Sequence, residues 1–384
     1  MRPFVFLLLL INSLKLSAQP WHHLDKSPET DSLCLFFFGD IMQHDPQISG
    51  AWDSNLHDYN YRPCFQYIAP YWQKADYVIA NLETTLTDKG YSGYPQFSAP
   101  WQLVRDLKSC GVDILTTTNN HSCDKGHIGI RKTLYYLDSL KISHTGTYLD
   151  TNSWISQTPF YIRHGRFKIA LISCTYGTNG IAVTHGQVVS MIDTFHIHRQ
   201  IEKALLDTAT NIIAIMHWGE EYHTTPHPEQ ERLATWLHTQ GADIVIGSHP
   251  HVVQPIRYIH QGDDTTGITV FSLGNFVSNQ SKRYTNGGIG IYLTLYRQSG
   301  RSRYRMQYLS SYVYRPIENG KRRYYVIPEP EASTLLHQQD SLLYTEFFHD
   351  TDSIIRGVAP KFRLEGKEKP QTEKYFPSTS ILIH

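Results

Sequence analysis

The sequence predicts a layered α/β domain with crossover connections. Two observations lead there: short apolar runs recur along the chain and each stops at polar or turn residues, and amphipathic helical patterns fall between them. A third gives the arrangement a purpose. The chemically versatile side chains cluster just after the apolar runs, at the carboxyl ends of the predicted strands, where α/β sheets gather their ligands.

The runs come in order. Leu33 to Phe38 leads into Gly39-Asp40, Tyr77 to Ala80 into Asn81-Leu82-Glu83, and Ile114 to Thr118 into Asn119-Asn120-His121. Lys168 to Ile172 leads into Ser173-Cys174-Thr175, Ile212 to Met216 into His217, Ile244 to Ile246 into Gly247-Ser248-His249, and Ile268 to Leu273 into Gly274-Asn275. Continuous apolar runs of this length suit strands covered on both faces. Between them, Pro100 to Cys110 spaces Leu103 and Leu107 four apart and meets Gly111, and Ile128 to Leu140 carries Leu134, Leu137 and Leu140. Phe195 to Leu206 is a third helix. His227 to Gln240 has Pro228 in its first turn, Leu233, Trp236 and Leu237 on one face, and Gly241 to end it. After Asn279 the pattern turns to β-structure at Ile289 to Tyr296, Tyr304 to Tyr314 and Arg322 to Ile327. A helix is expected over Leu335 to Phe348, then a proline-marked tail with Pro360, Pro370 and Pro377.

At 384 residues the chain suffices for one large core with an extension. Composition is that of a folded protein, 40% hydrophobic and 18% charged, and the formal net charge is zero. No electrostatic footprint for nucleic acid exists, so nucleic acid is not expected as a partner. The 25 Tyr and 7 Trp can line a cleft or pack a core. Arg2, the apolar run Pro3 to Leu14 and Ser17-Ala18-Gln19 read as a signal peptide over residues 1–18, cleaved near Ala18. Export to the periplasm or cell surface follows, with an uncleaved N-terminal membrane anchor as the alternative. Five cysteines, Cys34, Cys64, Cys110, Cys123 and Cys174, have no metal-ligand spacing. Their odd number leaves at least one thiol unpaired within the chain.

Taken singly, each polar strand-end residue is ambiguous. Asp40 can cap a turn as readily as bind an ion, and Glu83 can simply form a pair. Asn120 offers a hard amide oxygen and His121 a transferable proton, while Asp124 can orient His121 or cap the following helix. His217, His249 and His251 end two strands, and Glu220, Glu221, Asn81 and Asn275 are expected to line the cleft or support the ligands. Jointly, carboxylates, an amide and imidazoles suit Mn²⁺, Zn²⁺ or Fe²⁺, as one or two ions. His44, His57, His127, His223 and His227 are expected at the surface or rim. No nucleotide-binding glycine loop, nucleophile-elbow serine or dinucleotide fingerprint is present.

Six motifs carry a resemblance. Phe38-Gly39-Asp40, Ala80-Asn81-Leu82-Glu83-Thr84, Thr118-Asn119-Asn120-His121-Ser122, His217-Trp218-Gly219-Glu220-Glu221-Tyr222, Gly247-Ser248-His249-Pro250-His251 and Phe271-Ser272-Leu273-Gly274-Asn275-Phe276 stand in order between about residues 33 and 296. They resemble the bacterial capsule-synthesis CapA, or poly-γ-glutamate synthesis, family, which looks like a divergent branch of the calcineurin-like metallophosphoesterases. The resemblance implies a four-layer αββα sandwich over 33–296, with residues 297–384 as a β-rich extension. It implies Asp40, Glu83 and His251 around one ion and Glu83, Asn120, His217 and His249 around another, with His121 assisting the reacting group. Met42 stands where a histidine ligand is usual, and a thioether is a poor ligand for a hard ion. The expected function is a metal-dependent hydrolase acting on an anionic cell-envelope polymer such as poly-γ-glutamate, at an amide or phosphoester bond. The alternatives are a non-catalytic factor that binds polymer or capsule-assembly proteins, and a small-molecule metallophosphatase.

Overall fold

The computed structural model describes residues 23–25, 32–261, 264–298, 301–336 and 341–355. The expected signal peptide and the tail with Pro360, Pro370 and Pro377 lie outside the described residues. Among those described, two large sheets lie face to face. One runs Tyr325–Pro328, Arg301–Tyr314, Gly287–Gln298, Ser32–Ile41, Tyr77–Leu82, Ile114–Thr116, Ser143–Thr145, with Asn275–Val277 also paired to Ser32–Ile41. The other runs His23–Asp25, Phe160–His164, Phe167–Thr175, Asn211–His217, Ile244–Ser248, Asp264–Val270, Ile256–Gln261. The central pairings of both are parallel.

Period-two alternation decides what each strand faces. Leu33, Leu35 and Phe37 point between the sheets, where they meet Ile169, Leu171, Ile213, Ile215, Ile244 and Ile246. Phe36 and Phe38 point outward to Leu103, Val104 and Leu107 of the helix Gln102–Cys110. On the far side, Ile172, Ala214 and Met216 face Ile197 and Ile201 of Thr194–Leu206 and Leu237 of Pro228–Gln240. The order is therefore helices, sheet, sheet, helices, the αββα arrangement that the resemblance implies. Two of the helices end as their sequences demand: Gly111 and Gly241 take left-handed φ values of 116° and 115°.

The segment after residue 296 joins the first sheet. Arg301–Tyr314 pairs with the whole of Gly287–Gln298, which itself pairs with Ser32–Ile41. Two expectations there are corrected. The strand expected over Arg322 to Ile327 divides, because Asn319 and Gly320 both adopt positive φ and turn a short ribbon, Ile317–Glu318 with Lys321–Arg322, ahead of the strand Tyr325–Pro328. The helix expected over Leu335 to Phe348 becomes Glu329–Leu335 and Ser341–Ile355. The second runs past Phe348 because Thr351 and Ile355 also find buried places. No helix among the described residues is long and apolar enough to cross a membrane.

Gly39 shows how the fold fixes the site. A Cβ there would stand 1.9 Å from the Gly274 carbonyl oxygen, so only glycine permits this approach of the two chain segments. The register between Ser32–Ile41 and Tyr77–Leu82 shifts between Phe38 and Asp40, and this bulge re-aims Asp40. Gly39→Ala is expected to cost on the order of 3 kcal/mol or more, since backbone rather than a flexible side chain must move. Thermal unfolding tests this, and a melting temperature within about one degree of wild type contradicts it.

Candidate metal centre

Seven strand ends and loops deliver side chains to one place between the carboxyl edges of the two sheets. Glu83 follows Leu82, and its amide donates to the Ile41 carbonyl (3.0 Å), which places its carboxylate beside Asp40. The Asn119-Asn120-His121-Ser122 loop is tied internally. Asn119 Nδ2 donates to the Leu82 carbonyl (2.8 Å), Asn119 Oδ1 accepts from the His121 amide (3.1 Å), and Ser122 Oγ accepts from the Asn119 amide (2.9 Å). His249 and His251 flank Pro250 with φ of 100° and 58°, both in the left-handed region where a side chain is strained. That strain turns two residues of one short loop toward different neighbours.

The result is two groups of donors that can each hold an ion: Glu83, His217 and His249, and Asp40, Glu83 and His251. Within each group the ligand atoms lie within 4.8 Å of one another, and Glu83 belongs to both. His217 Nε2 stands 3.6 Å from Glu83 Oε1 and His251 Nδ1 3.5 Å from Asp40 Oδ2. Asn120 Oδ1 lies 2.8 Å from His217 Nε2, which adds an amide oxygen to the first group. That group offers two imidazoles, whereas the Asp40 side offers only His251.

The chemistry of these donors fits a cation. Both oxygens of Glu83 are buried without a hydrogen-bond partner, and so is His249 Nδ1. A fully buried carboxylate in that condition is costly unless a positive charge completes it. Burial, and then the neighbouring Asp40, push the Glu83 carboxyl well above its usual range. Burial, and then His249, hold His217 well below the usual imidazole value; burial and then His251 push His249 down to about 3. Imidazoles kept neutral in this way have lone pairs to offer. Supporting contacts agree: Asn81 Nδ2 donates to Asp40 Oδ1 (2.7 Å), the His249 amide donates to Asp40 Oδ2 (3.2 Å), and Asn275 Oδ1 lies 3.2 Å from His251 Nδ1. Ser248 Oγ, 3.0 Å from His217 Nδ1, can accept the proton there and leave Nε2 free.

His121 stands beside these groups without belonging to either. Its Nδ1 donates to Asp124 Oδ2 (2.7 Å), and Asp124 also accepts the Phe97 amide (2.5 Å). The helix Gly126–Ser139 has Lys125 at its N-cap with no side-chain bond, so Asp124 orients His121 and does not cap. Of the two expected cleft glutamates, Glu221 is half-buried and adds to the negative field at Glu83, Tyr176 and Tyr222. Glu220 does not share that place. Its side chain is 57% exposed and pairs with His223 and His227, 3.6 Å from each, because Gly219 takes a left-handed φ of 89° just before it. Met42 is buried, and its amide donates to the Val277 carbonyl (2.9 Å).

Two further residues stand near the site. His44, expected at the rim, is half-buried. Its ring meets Phe97 edge-on at 5.1 Å, and Phe97 meets His121 at 4.6 Å. Burial holds the His44 imidazole below its ordinary value. Tyr176 follows Thr175 at the end of its strand and lies 4.6 Å from the His249 ring. The strand-end rule reaches Tyr176, but a phenol is not a usual ligand for these ions. All five cysteines are free thiols; Cys174 is buried as expected, and Cys34 only partly.

A family model described as bacterial capsule synthesis protein PGA_cap matches residues 34–280. Capsule biosynthesis protein CapA of Bacillus anthracis is 30% identical over 271 residues, 66% of this chain and 62% of that protein. PGA biosynthesis protein CapA of Bacillus subtilis (strain 168) is 30% identical over 234 residues, 56% of this chain and 57% of that protein. The chain thus matches about three fifths of the length of these relatives. Among solved structures, the NAD nucleotidase of Haemophilus influenzae has a TM-score of 0.45 at 10% identity, covering 84% of this chain and 60% of that one. The 5'-nucleotidase of Candida albicans SC5314 has a TM-score of 0.44 at 12% identity, covering 85% and 59%.

Proposed function

The chain belongs to the bacterial capsule synthesis protein PGA_cap family, and from that premise we propose that it is an exported metal-dependent hydrolase acting on an anionic polymer of the cell envelope. The observation that carries the hydrolase reading is the buried Glu83 carboxylate, without a hydrogen bond at either oxygen and shared by two groups of ligand atoms. Poly-γ-glutamate is the polymer that the resemblance implies; the family description and the name of the Bacillus subtilis relative carry the abbreviation PGA. Divalent ions held by Asp40, Glu83, His251, Asn120, His217 and His249 would polarise the scissile group and lower the pKa of a water.

The chain's own groups do the rest. Asp124 keeps the His121 proton on Nδ1, so Nε2 is the atom that takes or gives a proton at the reacting group. Asn81 and Asn275 hold Asp40 and His251 in place. The deciding experiment is elemental analysis of the purified protein, followed by assays on an amide-linked glutamate polymer and on a phosphodiester. A chain that takes up no ion, or that cleaves neither bond type with Mn²⁺ or Zn²⁺ supplied, contradicts the proposal. Cleavage of simple phosphodiesters alone points to a small-molecule metallophosphatase.

The asymmetry of the two groups makes a separate prediction. Zn²⁺ added to chelated protein is expected to bind in two calorimetric steps. The tighter corresponds to the two-imidazole group, since imidazole nitrogen is the better donor for that ion. His249→Ala is expected to remove the tighter step. Two equal sites contradict this. The same asymmetry favours one other reading, a polymer-binding assembly factor without catalysis. Polymer binding that survives both His217→Ala and His249→Ala supports that factor over the hydrolase.

A further inference from the structure

The loop after the Phe167–Thr175 strand approaches the first donor group twice. The Tyr176 amide donates to the His217 carbonyl (3.0 Å), which pins the loop to the strand that ends in that ligand. The Tyr176 ring then lies 6.3 Å from the His217 ring and nearly parallel to it, and 4.6 Å from the His249 ring. Three residues on, Asn179 Oδ1 accepts from Asn120 Nδ2 (3.3 Å).

These contacts fix which way Asn120 faces. Its Oδ1 turns to His217 Nε2 and its Nδ2 to Asn179 of the loop that also carries Tyr176. An amide nitrogen can only donate, so Asn120 Nδ2 cannot take up the Tyr176 O–H, which stays available to another partner. Tyr176 is nonetheless 47% exposed. A tyrosine wedged against two imidazoles, with an uncommitted O–H at the mouth of a donor cluster, has more than a packing role.

We propose that Tyr176 is a substrate-contacting residue: its hydroxyl donates a hydrogen bond to an oxygen of the scissile phosphoryl or carbonyl group held at the Glu83–His217–His249 side. This rests on the hydrolase reading and deepens it. Asn179 acts differently. Among the described residues its side-chain hydrogen bond is the one from the Asn120 amide, so it is a positioning residue for that ligand.

Tyr176→Phe, Tyr176→Ala and Asn179→Ala separate these roles. Inorganic phosphate is the probe, because it presents the tetrahedral oxygens that both phosphoester and amide cleavage generate. Its binding to Mn²⁺-loaded protein is measured by calorimetry, with bound manganese counted by elemental analysis. Tyr176→Phe is expected to weaken phosphate binding about tenfold, the loss of one hydrogen bond to a charged group, with manganese content and melting temperature as in wild type. Tyr176→Ala is expected to lose at least as much. Asn179→Ala is expected to weaken manganese binding itself. Phosphate binding within twofold of wild type in Tyr176→Phe overturns the proposal, as does a fall in manganese content that accounts for the loss. Wild-type protein that takes up no manganese sinks the hydrolase reading and this one with it. A silent Tyr176→Phe in loaded protein sinks this one alone.

Discussion

Glu83→Gln is expected to stabilise the chelated protein and destabilise the metal-loaded one. In the folded chain without an ion, burial and Asp40 raise the Glu83 carboxyl well above its ordinary value of 4.5. The fold then binds a proton that the unfolded chain has released, so Glu83 costs stability as pH rises above that value. At pH 7 the cost has a ceiling of about 3 kcal/mol, set by the pH interval above the ordinary carboxyl value. Glutamine carries no such cost. Chelated Glu83→Gln should therefore melt above chelated wild type at pH 7, with the gap closing toward pH 4.5. With Mn²⁺ in excess the order should reverse, because the carboxylate belongs to both donor groups and glutamine supplies one neutral oxygen. An ion at a hundred times its Kd adds about 2.7 kcal/mol to the wild-type fold. Turnover should fall by roughly a thousandfold, as expected when a ligand common to both positions is lost. Melting curves of both proteins at pH 4.5 and 7, with and without Mn²⁺, test this. Parallel pH dependence in wild type and variant would show that Glu83 is not the strained carboxylate.

His121→Ala is expected to lower kcat by roughly 10²–10³ while leaving the bound metal unchanged, since His121 is in neither donor group. Asp124→Asn should cost a comparable share, because the 2.7 Å bond from Nδ1 sets which nitrogen of His121 faces the reaction. The two residues act as a unit, so the double variant should be little worse than His121→Ala alone. Steady-state kinetics with parallel elemental analysis decides the matter. Loss of metal along with activity would instead make His121 part of the metal site. Additive losses would break the pairing with Asp124.

Much of the architecture is legible locally. Leu33 to Phe38 and Ile212 to Met216 read as strands covered on both faces because their apolar residues are continuous, and both are. The helix ends at Gly111 and Gly241 follow from one property, the ease of left-handed φ without a Cβ. Other features escaped the reading although a local signal existed. Asn319-Gly320 is a strong hairpin signal, yet the alternating pattern of Arg322 to Ile327 masked it. Tyr176 stood at a strand end but lacked a ligand's chemistry. Glu220 and Glu221 are neighbours with equal chemistry, and only the backbone at Gly219 sends the first to the surface.

By itself the sequence determined the central strands, the four helices Gln102–Cys110, Gly126–Ser139, Thr194–Leu206 and Pro228–Gln240, the edge at which polar residues collect, and the kinds of donor atom available there, because periodicity, caps and side-chain chemistry are short-range properties. The resemblance implies that Glu83 serves two groups and that His249 and His251 join different ones; the tertiary structure is what brings this about, with positive φ on either side of Pro250, and it alone decided that Gly39 lies against Gly274. Those outcomes depend on which sheet each strand joins and on contacts between distant segments, such as Gly39 with Gly274, 235 residues apart. Such contacts are set by packing across the whole core, which local preference does not encode.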